Sequence, residues 1–548
     1  MSEHWYDEAV IYCLDVETFA DSDGDGIGDF RGLIGRLDYL YRLGVTCLWL
    51  NPIHPSPRRD DGYDVTDFYT VDPRLGSLGD FAELLHQAEN RGIRVIIDLV
   101  VNHTSDEHPW FLDAVSSPDA RYRDWYVWSQ KEPPDRFQGM VFPGEQHDTW
   151  SYHRRAKAWY YHRFYDFQPD LNTNNPAVRA ELKKIMACWL QLGVAGFRID
   201  GAPFVIELTE PGNANSPKDF RFLTDLRQHT SWRRGDALLL AEANVEPDQL
   251  VRYFGDEGGS ANRLHMLFDF MLNGRLILAL ARQDPEPILE GVRTTPSIPE
   301  GAQWATFLRN HDEIDLSRLT ADQRDEVFAQ FGPEPAMRLY DRGIRRRLAP
   351  MLGGDRARIE MAYSLQFTLR GTPVLRYGEE IGMGEDLSQP DRQAIRTPMQ
   401  WSPVRNGGFT TADEPVRPVV SGGDYGYEKV NVTDQRHDPS SLLAWFERMI
   451  HTLRESPEVG AGTCLPVDEK LPPGVFAHCA DGPSGKMLFL HNLGETPCVV
   501  DLSALDDRGD DANQVFGDQP DQPIDGLSAL ELGRYGYRWI RLRRNPAG

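Results

Sequence analysis

The sequence predicts an α/β protein built on a (β/α)8 TIM barrel, with an inserted subdomain after the third strand and an all-β C-terminal domain. Three observations lead there. Short apolar runs that do not alternate recur along the chain, as strands buried on both faces of a parallel sheet do. Amphipathic helical stretches separate many of them, and eight such strands alternating with helices suit a closed barrel. From about residue 460 the pattern changes to turn signals and short strands. A doubly wound open sheet is the alternative, but no glycine-rich phosphate loop follows the first run.

The eight runs are "AVIYCLDV" (9–16), "GVTCLWLNP" (44–52), "RVIIDLVVNH" (94–103), "GVAGFRID" (193–200), "ALLLAEAN" (237–244), "RLHMLFDF" (263–270), "WATFLRNHD" (304–312) and "TPVLRYGEE" (372–380). Helix signals stand between them. "FRGLIGRLDYLYRLG" puts Phe30, Leu33, Leu37, Leu40 and Leu43 near helical spacing and stops at Gly44. "NPAVRAELKKIMACWLQLG" has Asn175 as N-cap, Pro176 in the first turn and Gly193 as stop. Residues 104–172 are too long a connection for one helix and are rich in Trp, Tyr, His and Asp, which suggests a subdomain over the barrel mouth. Residues 313–371 form a second excursion, read as mostly helical. The expected division is 1–103 with 173–459 for the barrel, 104–172 for the insert and 460–548 for a C-terminal β-sandwich.

Composition narrows the partners. The chain has 548 residues, too many for one ordinary domain, and a formal net charge of −26 from 84 acidic and 58 basic residues. Such a surface repels phosphate backbones and anionic lipid, so no nucleic acid or membrane partner is expected. An acidic surface also keeps a protein soluble, and that plain role accounts for most of the charge. None of the six cysteines sits in a CxxC pair, and Cys13, Cys47 and Cys188 lie inside apolar runs. They read as buried free thiols of a reducing compartment. With no signal-like segment at the start and no apolar run of membrane-spanning length, a cytoplasmic protein is expected, its oligomeric state open.

Polar residues collect where barrel chemistry resides, at the C-terminal ends of the strands. The third run ends with Asp98, Asn102 and His103, the fourth with Arg198 and Asp200, the fifth carries Glu242, and the seventh ends with His311 and Asp312. Any one alone would be a strand-end charge meeting solvent. Together they converge on one mouth, where carboxylates raise each other's pKa. Glycoside cleavage uses such groups: one carboxylate attacks the anomeric carbon, and a second protonates the leaving oxygen and later activates water. Arg198 and Asp200 lie two apart on a strand and therefore face one way, so the guanidinium can keep that carboxylate charged and aimed. His103 and His311 would donate to sugar hydroxyls.

These motifs resemble glycoside hydrolase family 13, the α-amylase family, along essentially the full chain. The four family regions stand as "DLVVNH", "GFRID", "AEAN" and "NHD". "QPDLN" (168–172), "DDGYD", "HRFYDFQPDLN" and "RTPMQWSP" resemble the oligo-1,6-glucosidase and trehalose-synthase branch. The resemblance implies that Asp200 is the nucleophile, Glu242 the acid/base and Asp312 a third carboxylate fixing sugar hydroxyls. It places Arg198, His103 and His311 along the −1 subsite, the pocket for the glycosyl unit. Tyr63 would stack on that sugar, and Asp60 and Arg392, as a charge pair, would close the pocket at its non-reducing end. The substrate implied is a short α-glucoside such as maltose, trehalose or sucrose. It is cleaved with retention, and the glucosyl unit passes to water, a sugar or another hydroxyl acceptor. Maltose–trehalose isomerisation is the alternative. Phe204 and Ile206 stand where that branch carries aromatic hydroxyls, Ser317 where it has a second glutamate after "NHD", and Gly201 where alanine is usual. A non-catalytic binding homologue would lack the carboxylates and carry a membrane helix.

"DSDGDGIGD" (21–29) is the second strong signal. Asp21, Asp23, Asp25, the Ile27 carbonyl and Asp29 match calcium-loop positions, although Gly32 stands where an EF-hand has glutamate. Four carboxylates within nine residues repel one another without a cation, so a structural Ca2+ is expected, with Mg2+ as the alternative. "GIRRRLAP" (343–350) reads as an exposed basic helix face, and Trp401 as a packing residue.

Overall fold

The structure, a computed structural model, describes residues 4–213, 216–255, 259–461, 463–467, 469–482, 485–505, 511–519, 524 and 526–543. The chain opens with β1 (Ile11–Leu14), β2 (Cys47–Leu50) and β3 (Arg94–Leu99). An insert follows with β4 (Trp128–Ser129), β5 (Trp150–His153) and β6 (Ala158–Tyr161), paired antiparallel. Then come β7 (Gly196–Ile199), β8 (Leu238–Ala241), β9 (Met266–Phe268) and β10 (Gln303–Thr306). A second excursion holds β11 (Ile314–Asp315), β12 (Arg338–Leu339) and β13 (Gly343–Ile344) before β14 (Thr372–Arg376). The strands β1, β2, β3, β7, β8, β9, β10 and β14 close into one parallel barrel, with β14 pairing back to β1. Each of the eight apolar runs supplies one of them.

Period-two alternation sorts the side chains. Cys13, Trp49, Ile96, Leu240, Phe268 and Phe307 fill the barrel interior, and their strand neighbours pack outward against the helix ring. The helix Pro176–Leu192 is capped by the Asn175 side chain, which accepts from the Ala177 amide at 2.9 Å, and stops at Gly193 (φ 120°). The helix expected over 30–43 is broken into Phe30–Ile34 and Leu37–Leu43 around Gly35 and Arg36. The second excursion is not purely helical: β11, β13 and β12 form a small antiparallel sheet.

Beyond the barrel, β15 (Thr463–Pro466), β16 (Val475–Gly482), β17 (Gly485–Asn492), β18 (Cys498–Val500), β19 (Asp511–Gly517), β20 (Leu530–Leu532) and β21 (Tyr537–Arg543) make a five-stranded and a two-stranded sheet. The larger sheet docks on the helix Arg356–Thr368. Trp539 Nε1 donates to Ser364 Oγ at 2.8 Å, and a ring nitrogen of His478 lies 3.0 Å from the Thr368 carbonyl.

Two further expectations need correction. Cys13 and Cys47 are buried, but Cys188 is exposed, because it falls on the outer face of its helix. The "GIRRRLAP" arginines do not form an exposed helix face. Arg345 donates to the Ala336, Leu387, Gln389 and Asp391 carbonyls, Arg346 pairs with Glu385 at 2.7 Å, and Arg347 is fully buried against Tyr377 and Glu379. Their fork geometry ties loops together. Trp401 is 3% exposed, donates to the Phe19 carbonyl at 2.6 Å and meets Phe19 and Tyr39 edge-on. Among the described residues, no helix is long and apolar enough to cross a membrane.

Candidate active site

A narrow pocket of about 90 Å3 opens at the C-terminal mouth of the barrel, lined by Asp60, Tyr63, His103, Asp200, Glu242, Asp312 and Arg392 among others. Strand register builds its floor. β3 pairs with β7 so that Asp98 and Arg198 are partners, and Arg198 is the last inward residue before the turn to Asp200. Arg198 is 1% exposed. It bonds Asp200 at 2.5 Å, pairs closely with Glu242 and reaches Asp98 at 3.5 Å. One guanidinium thus joins the two carboxyls that the sequence singles out for catalysis.

Glu242 and Arg198 pull in opposite senses. Burial, with the charges of Asp200 and Asp312, raises the Glu242 carboxyl to about 8, and this outweighs the opposing attraction of Arg198 and Arg392. Its side chain is still 31% exposed, toward the pocket. Asp312 goes the other way. Burial opposes its charge, but Arg392 (3.2 Å) and Arg396 (2.9 Å) hold the carboxyl well below the ordinary range, and the His311 ring lies 3.1 Å away. Neighbouring carboxyls thus occupy opposite protonation states at neutral pH, which is how a site separates an acid from an anion.

Tyr63 is buried, and its hydroxyl bonds Asp98 at 2.8 Å and His311 at 2.6 Å, with the His311 ring stacked 5.8 Å away. Burial raises Asp98 to about 7, while Arg198 and the Tyr63 and Trp49 donors oppose that shift. Burial keeps His311 neutral, and its Nδ1 has no partner among the described residues. His103 is already engaged: Nε2 lies 3.0 Å from the Tyr63 carbonyl and Nδ1 3.4 Å from Asn102 Nδ2.

The expected Asp60–Arg392 ion pair is not formed. Arg392 binds Glu313 at 2.8 Å and Asp312 at 3.2 Å, because the loop after β10 brings two carboxylates closer to it. Asp60 accepts from Gln168 at 2.8 Å, and burial raises it to about 6 against the pull of Arg392. Both residues still line the pocket.

Next to Asp200, Gly201 has φ 51°, and a Cβ there would meet Phe204 at 3.2 Å and Phe164 at 3.4 Å. The left-handed turn and that close approach account for glycine at this position. The space beside it is filled by Phe204, which meets Phe164 edge-on at 5.6 Å.

The predicted metal ligands converge in part. Asp21, Asp23 and Asp29 place oxygens within 4.8 Å of one another. Asp25 is not among them: its Oδ1 accepts from the Ile27 amide at 2.8 Å. The Asp25 amide favours charge on Asp23, yet desolvation and the repulsion of Asp25, Asp21 and Asp29 raise its carboxyl. Hard oxygen donors under like-charge repulsion fit a divalent cation such as calcium.

The α-amylase catalytic-domain family profile matches residues 13–331 and 344–462. The chain belongs to the α-amylase family. A profile for the C-terminal domain of sucrose hydrolase-like proteins matches residues 485–541. Among relatives, a Thermus thermophilus trehalose synthase is 41% identical over 99% of this chain, which spans only 56% of that protein's length. A Pimelobacter sp. (strain R48) trehalose synthase is 40% identical over 98% of this chain and 96% of its own. A Bacillus cereus oligo-1,6-glucosidase is more distant, at 28% over 92% and 93%. Among solved structures, isomaltulose synthase from Klebsiella sp. LX3 superposes with TM-score 0.80 at 25% identity over 99% of this chain and all of its own. The α-amylase from H. orenii gives 0.78 at 28% identity, again over 99% and 100%.

Within this α-amylase-family site, sequence reasoning missed two layers. One is the ion network behind Asp312: Arg396 also bonds Asp61 at 2.6 Å, and Arg417 joins Asp61 (2.7 Å) to Glu17 (2.8 Å). The "DD" pair at 60–61 and the second arginine of "DRQAIRTPMQW" were its only traces. The other is an aromatic roof. Phe142 from the insert stacks on Tyr340 from the second excursion at 4.9 Å, and the Arg392 guanidinium lies 5.1 and 5.4 Å from the two rings. Tyr340 and Asp341 both have φ 54°, a left-handed pair at the hairpin tip.

Proposed function

We propose that the protein is a retaining α-glucoside enzyme that moves one terminal glucosyl unit by double displacement through a β-glucosyl-enzyme. The observation that supports it most is Arg198 bridging Asp200 and Glu242. One guanidinium holds both carboxyls on the same side of the pocket, and the double displacement calls for a separation of about 5–5.5 Å between them. Asp200 attacks the anomeric carbon. Glu242, neutral near pH 7, protonates the leaving oxygen and then, as the carboxylate, takes a proton from the acceptor hydroxyl. Asp312 and Arg392 hold the hydroxyls at the closed end.

Water, a sugar or another hydroxyl compound could accept the glucosyl unit. The aromatic roof favours a second reading, transfer back onto the glucose just released. A covered pocket excludes water, and trehalose synthases are similar to this chain over nearly its whole length. Maltose as substrate decides between them: trehalose as main product supports internal transfer, and free glucose supports hydrolysis.

The closed end carries a prediction of its own. Maltose should be cleaved well and soluble starch poorly, with glucose rising before iodine staining falls. Arg392→Ala should raise KM for every glucoside tested, because it loosens Asp312 and Glu313 together. A rapid fall in iodine staining with little free glucose would contradict the closed pocket.

We also infer that Asp21, Asp23 and Asp29 hold a structural calcium ion. The loop they form is tied to residues 409–416: the Asp21 amide donates to the Phe409 carbonyl at 3.0 Å, and the Val416 amide to the Gly26 carbonyl at 2.7 Å. Chelation should therefore lower Tm and leave KM unchanged while the protein stays folded. An unchanged Tm on chelation and calcium addition would refute it. The unpaired thiols Cys13, Cys47, Cys188, Cys479 and Cys498 suit a reducing compartment, and a cytoplasmic site of action is proposed on that basis.

A further inference from the structure

A second polar pair lines the pocket and is tied to the loop that carries Glu242. Asp315 ends β11, and Arg342 stands in the turn between β12 and β13; both line the pocket together with Glu242. Asn244, two residues beyond Glu242, donates from Nδ2 to Asp315 Oδ2 at 3.0 Å and to Ser317 Oγ at 3.3 Å. Its Oδ1 accepts from Arg318 Nε at 2.6 Å, and Arg318 also pairs with Glu246 at 2.6 Å. Asp315 Oδ1 accepts from the Ser317 amide at 2.7 Å. With serine at 317, Asp315 is the carboxylate that β11 contributes to the pocket.

A strained turn delivers Arg342. Tyr340 and Asp341 precede it in the left-handed region, which residues with a side chain enter at a cost. The Arg342 amide closes the turn on the Leu339 carbonyl at 3.3 Å, and the Arg342 carbonyl accepts from the Leu316 amide at 2.9 Å. The turn thereby places Tyr340 in the roof and Arg342 in the pocket wall. The Arg342 and Asp315 side chains are 24% and 14% exposed, and Nε and Oδ2 stand 3.7 Å apart, beyond hydrogen-bond reach. Arg342 Nε has no hydrogen-bond partner among the described residues. Arg392 also lines the pocket, but it is committed to Asp312 and Glu313. Arg342 keeps donors to spare.

The glucosyl-transfer reading puts the sugar to be cleaved at Asp312 and Arg392 and leaves the second sugar to meet Glu242. Resting on that reading, we propose that Arg342 and Asp315 hold this second sugar, first as leaving group and then as acceptor, and select a neutral one. The guanidinium donates and the carboxylate accepts, so the pair grips adjacent hydroxyls of a pyranose, one in each sense. Leaving group and acceptor share these contacts because the second displacement is the first in reverse. The pair carries no net charge, and Glu313 and Asp312 line the same pocket. A phosphorylated or carboxylated sugar would meet those carboxylates without a guanidinium to itself.

The test measures kcat/KM of the full chain on two donors. Maltose loses glucose, which needs the pair; α-glucosyl fluoride loses fluoride, which does not span it. Arg342→Met should lower kcat/KM for maltose about 10–100-fold, the scale of one lost charge-assisted hydrogen bond, and for glucosyl fluoride far less. Arg342→Lys should recover part of the maltose activity, and Asp315→Asn should show the same split between donors. A maltose phosphorylated on O6 of its reducing glucose should be a poorer substrate than maltose. Equal loss on both donors in a folded variant, or no loss on maltose, would overturn the proposal. So would a preference for the phosphorylated disaccharide, which would make Arg342 a reader of phosphate. If Arg342→Met does not fold, Asp315→Asn, which keeps its shape, decides by the same split. Failure of the parent protein to turn over either donor would instead remove the glucosyl-transfer reading, and this pair's role with it.

Discussion

Asp200→Asn should reduce turnover by about 10^4-fold or more, the scale at which a covalent nucleophile's loss is felt, with Tm within a few degrees of the parent. The amide keeps the shape and can still accept from Arg198, which holds that position at 2.5 Å. It cannot form the glycosyl ester. The check pairs turnover on maltose with thermal melting and a trapping experiment. A 2-fluoro-glucosyl fluoride should label the parent protein at Asp200 and leave the variant unlabelled. Turnover close to that of the parent would refute the assignment, and so would a label on Glu242.

Glu242→Gln should cost about 10²–10⁴-fold on maltose, the usual share of general acid–base catalysis. The loss in the first step should be much smaller on a nitrophenyl glucoside, whose leaving group needs no proton. In the parent, the acid form must be present. With Glu242 raised to about 8, that form dominates below this pH and is lost above it. Activity on maltose should therefore fall as pH rises through about 8, and the nitrophenyl substrate should show a weaker fall. An equal loss on both substrates, or a basic limb unchanged by Glu242→Gln where residual activity is measurable, would remove Glu242 from the acid role.

How much of this was legible depended on the range of each interaction. Strand burial is local, so each run from "AVIYCLDV" to "TPVLRYGEE" could be read alone, and each delivers one barrel strand. The convergence of Asp200, Glu242 and Asp312 on one pocket was legible because strand ends in a barrel share one mouth, whatever their separation in sequence. The helix break at Gly35 and Arg36 was not, since the apolar spacing runs through it unbroken. "GIRRRLAP" was misread for a related reason: three adjacent arginines look like a solvated face until their carbonyl and carboxylate partners, up to 46 residues away, are known. In the same way Asp60 and Arg392 were rightly placed at the pocket but wrongly paired, because Glu313 and Asp312 lie nearer to the guanidinium.

By itself, then, the sequence determined the barrel, the order of its strands and the identity of the groups at its mouth. Periodicity and the side of a strand are properties of neighbours in the chain. Only the tertiary structure decided which charge each group keeps. Burial, helped by Asp200 and Asp312, raises Glu242, and Arg392 and Arg396 lower Asp312 against burial; all of these groups are brought together from distant parts of the chain. Only the fold closed the roof, where Phe142 and Tyr340 meet from two separate insertions. Coulomb and desolvation energies depend on distance through space, and spacing along the chain does not encode that distance for residues in separate elements.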